Sequence, residues 1–438
     1  MKTNLFGAIA LLCLAFSLDA IGQAPALTAA DYARAEKMLV YGVGPLVDRA
    51  GVRPNFLPDG RFWYKVLTPT GSEYVLVNPT DGSRTTGDDL VKMGVTPPAR
   101  KGSGDEDAAV SPDGSREAFI RDYNLWVRDV ATKKETQLTT DGVKNFGYAT
   151  DNAGWTHSDR AIVAWSPDSK KIATFQQDER NVNDSYLVST KVGAPTLSAW
   201  KSALPGDANI PMIHRVIIDV DSAKVVRLQM PPDPHRSTVC DDIACDGDLE
   251  DVYWSKDGAK LGFVSTTRDH KIATLREADA ATGTVRDIYS ETAATQFEST
   301  PMGQGGNWRY LPATNEFIWY SESDGWGQLY LYDLATGKLK NRITSGEFAV
   351  WNVVRVDDKA RVIFFEAGGH EKGRNPYFKH FYRVGFDGKD MRLLTPEDAS
   401  HNTTMSPSGG YFIDSYSTRE IEPVIVLRDD QAKSIANL

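Results

Sequence analysis

The chain has 438 residues, of which 41% are hydrophobic and 25% charged, a composition typical of a folded globular protein rather than a disordered one. Its formal net charge of −10 and the absence of a basic stripe argue against a nucleic-acid partner. Length alone suggests about three domains, but an internal repeat favours one large domain.

The N-terminus carries a predicted targeting segment. Met1-Lys2 is a short basic start, residues 5–18 are apolar without a charge, and small residues follow at positions 20 and 22. This order predicts a secretory signal peptide over residues 1–22, with cleavage near Gln23. The apolar run is short for a bilayer, and a retained anchor is the alternative. We expect a periplasmic or extracellular mature chain with no transmembrane segment.

Residues 23–51 are predicted to contain a short helix. Thr28 precedes Asp31 by three residues, the spacing of a capping box. Four apolar residues then fall on one helical face: Tyr32, Ala35, Met38 and Leu39. The segment therefore predicts an amphipathic helix ahead of the main domain.

The rest of the chain repeats one phrase. An apolar residue or Trp precedes Ser-Pro-Asp-Gly, or a degenerate form of it, and strand-forming residues follow. The copies begin at Leu57, Ser111, Trp165, Trp254, Leu311, Val356 and Ser406. Their starts lie roughly 45–55 residues apart, with one gap of about 90, and such a period of strands and turns is typical of a β-propeller.

A second turn motif completes each unit. Sequences such as Asp129-Val-Ala-Thr132 and Asp333-Leu-Ala-Thr-Gly337 follow one apolar strand and precede another. In this motif the Asp side chain can accept a backbone N–H, and Gly adopts a positive φ without steric cost. Each unit therefore predicts one four-stranded blade.

We predict an all-β fold, an eight-bladed propeller over residues 52–430, followed by a polar tail at residues 431–438. Seven blades can be counted directly, and seven is the alternative. The eighth fits the long gap, where residues 213–219 and 224–228 alternate like strands.

Two long insertions interrupt the period, at residues 140–161 and 231–251. The second holds Cys240 and Cys245, the cysteines that remain once Cys13 leaves with the leader. In an oxidising compartment this close pair predicts a local disulfide. A metal-binding interpretation is weaker because no second ligand pair is evident nearby. The acidic residues of the same insertion do not match an EF-hand loop, and we expect no metal.

No motif in the sequence predicts catalysis. Gly-x-Ser-x-Gly is absent, so there is no nucleophile elbow, and none of the seven histidines forms a zinc-protease motif. A phosphate-binding or dinucleotide fingerprint is also absent. We expect no cofactor and no catalytic residue in this chain.

Several longer stretches resemble a known family. Residues 165–179, preceded by 147–151, resemble the propeller of the dipeptidyl peptidase IV group of serine peptidases, as do residues 122–127, 325–333 and 373–384. The resemblance extends from the entry helix to Leu427. It implies an eight-bladed propeller that precedes an α/β-hydrolase domain and limits the substrates to short peptides.

The resemblance also implies where the peptide binds. In that family a propeller insertion supplies paired glutamates for the free N-terminus of the substrate. Here Asp151 is followed by Trp155 and then by Asp159. We take these three residues as candidate substrate contacts, although a loop that ties one blade to the next is an equal alternative. Recognition of an ammonium group by two carboxylates relies on charge-assisted hydrogen bonds, which the loss of the paired glutamates puts in doubt.

The favoured interpretation is the substrate-gating propeller half of a secreted exopeptidase. We expect the Ser/Asp/His domain to be missing or on a separate chain, so that this chain alone is inactive. The alternative is a stand-alone secreted module that binds a peptide, a glycan or a protein.

Overall fold

The computed structural model describes residues 27–49, 51–96, 105–150, 159–190, 192–235, 244–245, 248–299 and 306–438. The predicted leader at residues 1–22 lies outside them. The chain folds as two compact units, one of residues 1–78 with 83–96 and one of residues 79–82 with 97–438. Within the described ranges, no helix has the length and apolar character needed to cross a membrane.

The first unit begins with the predicted helix. α1 spans Ala29–Glu36, and the short helix α2, Val40–Val43, precedes a 3₁₀ turn at Gly44–Leu46. Thr28 caps α1, and the backbone N–H of Thr28 donates to Asp31 Oδ2 at 2.9 Å, so the predicted capping box is confirmed. The predicted apolar face is not covered, because α1 buries none of its residues.

The same unit contains sheet 1, an antiparallel sheet with its strands in chain order. Its strands are β1 Asn55–Phe56, β2 Phe62–Thr68, β3 Gly71–Val77 and β4 Arg84–Gly87. In β2 the buried Phe62, Tyr64 and Val66 alternate with more exposed residues, as expected for a strand with one covered face.

The second unit is built from further antiparallel sheets. Sheet 2 consists of β5 Ala109–Val110, β6 Arg116–Arg121, β7 Asn124–Asp129 and β8 Glu135–Gln137. Sheet 3 contains β9 Phe146–Tyr148, β10 Ala164–Trp165, β11 Lys171–Asp178, β14 Met212–Asp219, β15 Lys224–Arg227 and β16 Asp233–Pro234. Two separate hairpins are formed by β12 Asp184–Ser189 with β13 Thr196–Lys201, and by β17 Ala244–Cys245 with β18 Asp248–Leu249.

Four more sheets follow, each with four strands in chain order. Sheet 4 consists of β19 Val252–Trp254, β20 Lys260–Thr266, β21 Ile272–Asp279 and β22 Val285–Thr292. Sheet 5 consists of β23 Arg309–Leu311, β24 Glu316–Ser321, β25 Gln328–Asp333 and β26 Leu339–Arg342, with a 3₁₀ turn at Pro312–Thr314. Sheet 6 consists of β27 Ala349–Asp357, β28 Val362–Gly368, β29 His380–Gly385 and β30 Arg392–Leu393. Sheet 7 consists of β31 Ser400–Met405, β32 Tyr411–Ser417, β33 Val424–Asp429 and β34 Ser434–Asn437.

Two details differ from the sequence-based expectation. The described residues form seven sheets of the blade type. The strands predicted for an eighth blade lie inside sheet 3, where β14 pairs with β11 and β15 pairs with β14. The count of eight blades is therefore not confirmed. Residues 434–437, expected in a polar tail, form β34 and pair with β33.

The repeated Ser-Pro-Asp-Gly phrase builds the first turn of a sheet. In sheet 3, Ser166 Oγ donates to Asp168 Oδ1 at 2.6 Å and accepts the N–H of Lys171 at 2.8 Å. The residue at the glycine position adopts φ +59° even though it is Ser169. Where the phrase contains the serine, its hydroxyl can therefore join both ends of the turn.

The Asp-x-x-Thr turns follow the predicted chemistry as well. Asp333 Oδ1 accepts the N–H and the hydroxyl of Thr336, both at 2.8 Å. Gly337 has φ +66°, and a Cβ there would approach the carbonyl oxygen of Ile288 to 2.2 Å. Glycine is required at this position by both conformation and space.

Tryptophan in the repeated phrase joins neighbouring sheets. Trp165 Nε1 donates to the carbonyl of Ala109 in sheet 2 at 3.0 Å, and Trp254 Nε1 donates to the carbonyl of Ala164 in sheet 3 at 3.0 Å. Each indole therefore links the first strand of its own sheet to the first strand of the preceding one.

The core of the second unit lies between successive sheets. Phe317 and Trp319 of β24 pack in the cluster shared with sheet 4, whereas Ile318 and Tyr320 pack in the cluster shared with sheet 6. All residues of β24 are buried because both of its faces are covered. This explains why its sequence is nearly continuously apolar rather than alternating.

The strands of the second unit have two ends, and the connections between them differ from one end to the other. Both types of short turn lie at one end; in sheet 4 they are joined by a bond from the N–H of Ala280 to the carbonyl of Ala259. The connections β8 to β10, β11 to β14, β15 to β19 and β28 to β29 run at the opposite end, which we call the loop end. The described parts of both predicted insertions therefore lie at the loop end.

Candidate functional site

The loop end of sheet 3 collects strands from both insertions. β9, from the first insertion, pairs with β11 so that Phe146 lies opposite Asp178. β16, from the second, pairs with β14 so that Asp233 lies opposite Ile213. Short strands added to the end of a sheet fix the loops that continue from them. We define the candidate site as this end of sheet 3.

An ion pair joins the two insertions directly. Arg160 donates to Asp248 Oδ1 at 2.8 Å. Leu249, the residue after Asp248, packs against the buried cluster of Ile162, Phe175 and Ile213. The end of the first insertion and the end of the second are thereby fixed against the same strands.

Glu179 is the most unusual group of the site. It directly follows β11 and is only 3% exposed. Gln177 Nε2 donates to its Oε1 at 2.7 Å. Burial raises the pKa of Glu179, while the hydrogen bond from Gln177 and the positive charges of His235 and Lys201 act in the opposite direction. A buried carboxyl group whose pKa is shifted by desolvation is a recognised marker of a functional site.

The charge of Asp178, the residue before Glu179, is compensated by Arg180. Arg180 donates to Asp178 through Nε at 2.9 Å and through Nη2 at 2.7 Å, and its guanidinium lies 4.2 Å from the ring centroid of Phe146. The hydrogen bonds from Arg180 lower the pKa of Asp178. The ring of His214 packs edge-on against Phe146, and burial lowers the pKa of His214.

A second set of hydrogen-bonded polar side chains lies on the other side of β11. Tyr148 Oη donates to Asp141 Oδ1 at 2.8 Å, and Arg227 donates to Asp141 Oδ2 and to Tyr148 Oη, each at 3.1 Å. Arg227 also donates to the side-chain oxygen of Gln176. Desolvation and the bond to Asp141 raise the pKa of Tyr148, so this phenol stays protonated.

A buried ion pair anchors β16. Arg215 Nε donates to Asp233 Oδ2 at 2.7 Å, with the two side chains 8% and 11% exposed. Ser265 Oγ of sheet 4 donates to the same oxygen at 2.9 Å. Asp233 is therefore committed to holding sheets 3 and 4 together and is not free for a ligand.

Of the three sequence-based candidates, the structure describes one, Asp159. Asp151 and Trp155 lie outside the described residues. Asp159 is exposed and directly precedes Arg160, which contacts Asp248. Cys240 also lies outside the described residues, so its pairing with Cys245 stays a prediction.

Glu179 was missed by sequence reasoning. It closes the run Gln-Gln-Asp-Glu at residues 176–179, where polar side chains continue a strand whose preceding residues, 172–175, are buried. A run of polar residues on a buried strand was the available signal. The described residues with spacing suited to a metal ion, Glu397, His401 and Asp414, lie elsewhere, in and next to sheet 7.

Comparison with known proteins gives a consistent result. A family model described as the dipeptidyl peptidase IV (DPP IV) N-terminal region matches residues 84–423. The "Probable dipeptidyl-aminopeptidase B" of Neosartorya fischeri is 25% identical over 340 residues, which cover 70% of this chain and 34% of that protein. The "Dipeptidyl peptidase 4" of Trichophyton rubrum is 24% identical over 348 residues, covering 75% of this chain and 42% of that protein. The chain thus spans well under half the length of these curated relatives.

Solved structures show the fold. The crystal structure of Porphyromonas gingivalis dipeptidyl peptidase 4 aligns with a TM-score of 0.68 at 18% identity, over 91% of this chain and 61% of that one. A "putative dipeptidyl aminopeptidase IV" from Bacteroides ovatus aligns with a TM-score of 0.59 at 20% identity, over 86% of this chain and 50% of that one. Together with the sheets described above, these likenesses confirm the all-β fold class predicted from the repeat.

Proposed function

The chain belongs to the family of the dipeptidyl peptidase IV N-terminal region, and on this premise we propose that it is the substrate-gating propeller half of a secreted, dipeptidyl peptidase IV-like serine exopeptidase. The observation that carries the proposal is the extent of the family match, which runs from β4 to the loop before β33. The proposed substrate is a short peptide.

The arrangement of the connections supports a gating role. The repeated turns at one end are short and held by their own hydrogen bonds, whereas the described parts of both insertions lie at the loop end. Binding residues are disproportionately found on loops held by a rigid framework. We propose that the loop end faces an α/β-hydrolase domain, in the same polypeptide or another, and that peptides pass this end to reach it.

The proposed peptide contacts are Asp151, Trp155 and Asp159. Their support is the ion pair of Arg160 with Asp248, which fixes the chain directly after Asp159 at the loop end of sheet 3. A peptide with a free N-terminus brings an ammonium group, which a carboxylate binds through charge-assisted hydrogen bonds. Asp159 supplies such a carboxylate and is exposed.

An activity assay tests whether the chain is inactive without a hydrolase domain. We expect the purified chain alone not to release p-nitroaniline from Gly-Pro-p-nitroanilide above the blank, because its sequence has no Gly-x-Ser-x-Gly nucleophile motif. Turnover that is abolished by a serine-directed inhibitor would contradict this part of the proposal.

A site variant tests the peptide contact once the chain is assembled with a hydrolase domain. Asp159→Asn should raise KM for Gly-Pro-p-nitroanilide with a smaller effect on kcat, since it removes a charge that binds the free N-terminus. Asp207→Asn, also at the loop end, is the matched control. An equal effect of both variants would place Asp159 outside the substrate path.

A further inference from the structure

A second polar cluster lies between sheets 6 and 7, away from the candidate site. His380 begins β29, His401 lies in β31 and Asp414 in β32, while Glu397 lies in the connection between the sheets. His380 and His401 are each 2% exposed, and Asp414 is 0% exposed. Glu397, His401 and Asp414 each direct one ligand-type atom to a point where these atoms are within 4.8 Å of one another.

The hydrogen bonds of His401 leave one position to be filled. Its Nε2 lies 3.1 Å from the carbonyl oxygen of Glu397, and its Nδ1 lies 2.8 Å from Asp414 Oδ1. Both neighbours are acceptors. With the ring proton on Nε2, the lone pair of Nδ1 faces a carboxylate oxygen, and a cation is needed between them: either a second proton or a metal ion.

His380 lies beside this group of three residues and is the nearest further histidine. Both ring nitrogens of His380 and the Oε2 atom of Glu397 are buried and make no hydrogen bond of good geometry among the described residues, and the Thr395 backbone lies close to the His380 ring. The ring centroids of His380 and His401 are 5.2 Å apart. Two imidazoles on one tetrahedral zinc ion, with Zn–N distances of about 2.0–2.1 Å, have centroids separated by ~5 Å.

Arg428 occupies the outer oxygens of the two carboxylates. Its Nε donates to Asp414 Oδ2 at 3.1 Å, and its Nη2 donates to Glu397 Oε1 at 2.6 Å. Asp414 Oδ1 is left facing His401, and Glu397 Oε2 is left without a hydrogen bond. Groups that hold ligating carboxylates and the second nitrogen of a ligating histidine are regular features of metal sites.

We propose that His380, His401, Glu397 and Asp414 bind one divalent transition-metal ion, for which zinc is the best fit. Two imidazole nitrogens and two carboxylate oxygens satisfy its preference for four tetrahedral ligands. The ion replaces the proton between His401 and Asp414 and parts these two atoms from 2.8 Å to roughly 3.3 Å. With four protein ligands the site is structural and joins sheets 6 and 7.

One further observation agrees with a metal site. The side chain of Glu397 is 32% exposed and gives the ion a path from solvent. The site was not visible in the sequence because its two histidines lie in different sheets.

Metal titration of the whole chain tests the proposal. The chelator-treated protein should bind one equivalent of Zn²⁺ by calorimetry, and Co²⁺ in its place should give the intense visible absorption of a tetrahedral site. His380→Ala should lower the Zn²⁺ affinity by roughly 100-fold or more, since a ligand contributes more than the 10–100-fold typical of its supporting partners. His270→Ala is the matched control and should bind Zn²⁺ as the wild type does.

Glu397→Gln provides a second variant, chosen because Glu397 is partly exposed and its amide keeps a hydrogen-bonding shape. It should also weaken Zn²⁺ binding and abolish the Zn²⁺-dependent rise in melting temperature. Zn²⁺ binding that is absent from the wild type, or unchanged in both His380→Ala and Glu397→Gln, would overturn the proposal and assign the cluster to a proton-bound His401.

Discussion

At the scale of single residues, the serine of the repeated phrase stabilises the first turn of the sheet. Ser166 is fully buried, and its hydroxyl both donates to Asp168 and accepts from the backbone of Lys171. The same pair of bonds is made by Ser255 with Asp257 and Lys260 in sheet 4. The turn therefore depends on a serine side chain to which the sequence analysis assigned no role.

Replacing Ser166 tests this role. Ser166→Ala should lower the free energy of unfolding by about 1–3 kcal/mol, because it leaves the partly buried N–H of Lys171 without its acceptor. The shift of the urea midpoint measures the loss. Ser198→Ala, on an exposed strand of the β12–β13 hairpin, is the control and should change stability by less than about 0.5 kcal/mol.

Glu179 makes a pH-dependent prediction. Its pKa in the folded protein is raised above the ordinary 4.5, so its favourable contribution is fully present below pH 4.5 and is lost as the pH rises through the folded pKa. Glu179→Gln keeps a neutral side chain at every pH. The variant should therefore melt at a higher temperature than the wild type at pH 7.5, with the difference vanishing near pH 4.

The control for this comparison is Glu420→Gln, which changes an exposed glutamate and should follow the wild type at both pH values. A Glu179→Gln protein that is less stable than the wild type at pH 7.5 would mean that the charged form of Glu179 is favoured in the folded state.

At the scale of strands and sheets, buried acids link neighbouring sheets. Glu316, 2% exposed at the start of β24, accepts hydrogen bonds from Lys340, which is in the same sheet, and from Arg361, which precedes β28 of the next sheet. Burial alone would raise the pKa of Glu316, but the bonds from Arg361 and Lys340 lower it to about 2. The sequence-based analysis had no means of finding this pair, because residues 316 and 361 belong to different repeats.

Removing the charge of Glu316 should weaken this link. Glu316→Gln should cost roughly 1–2 kcal/mol at pH 7, less than a fully buried pair because both cations are partly exposed. The depressed pKa means that the wild-type advantage is present above pH 4.5 and is lost as the pH falls towards 2. Melting curves of the two proteins should converge at low pH; a constant difference from pH 7 to pH 2.5 would contradict the ion-pair explanation.

Sequence patterns predicted strands better than they predicted partners. The alternation in residues 213–219 correctly indicated a strand, but β14 pairs with β11, from which the β12–β13 hairpin separates it in the chain. Alternation reports which face of a strand is covered and not which strand lies beside it. This is why the segment suggested an extra blade and instead completes sheet 3.

At the scale of the whole chain, the repeat was sufficient to predict the fold class, and the resemblance to known peptidases was sufficient to predict the family. The candidate site was only partly accessible. The insertions marked the loop end correctly, but Arg227, Tyr148 and Gln176 come together through pairing between β9, β11, β14 and β15. Contacts that depend on the pairing of distant strands cannot be read from local spacing.

The most direct test of the proposed function is to read the coding sequence that follows the codon for Leu438 and to assay the product. The account predicts an open frame, joined or nearby, that encodes Gly-x-Ser-x-Gly followed by the Asp and His of a hydrolase domain, and co-expression with the present chain should yield Gly-Pro-p-nitroanilide hydrolysis. A locus without such a frame, or a hydrolase whose activity and peptide-length selectivity are the same with and without this chain, would contradict the assignment as a substrate-gating propeller.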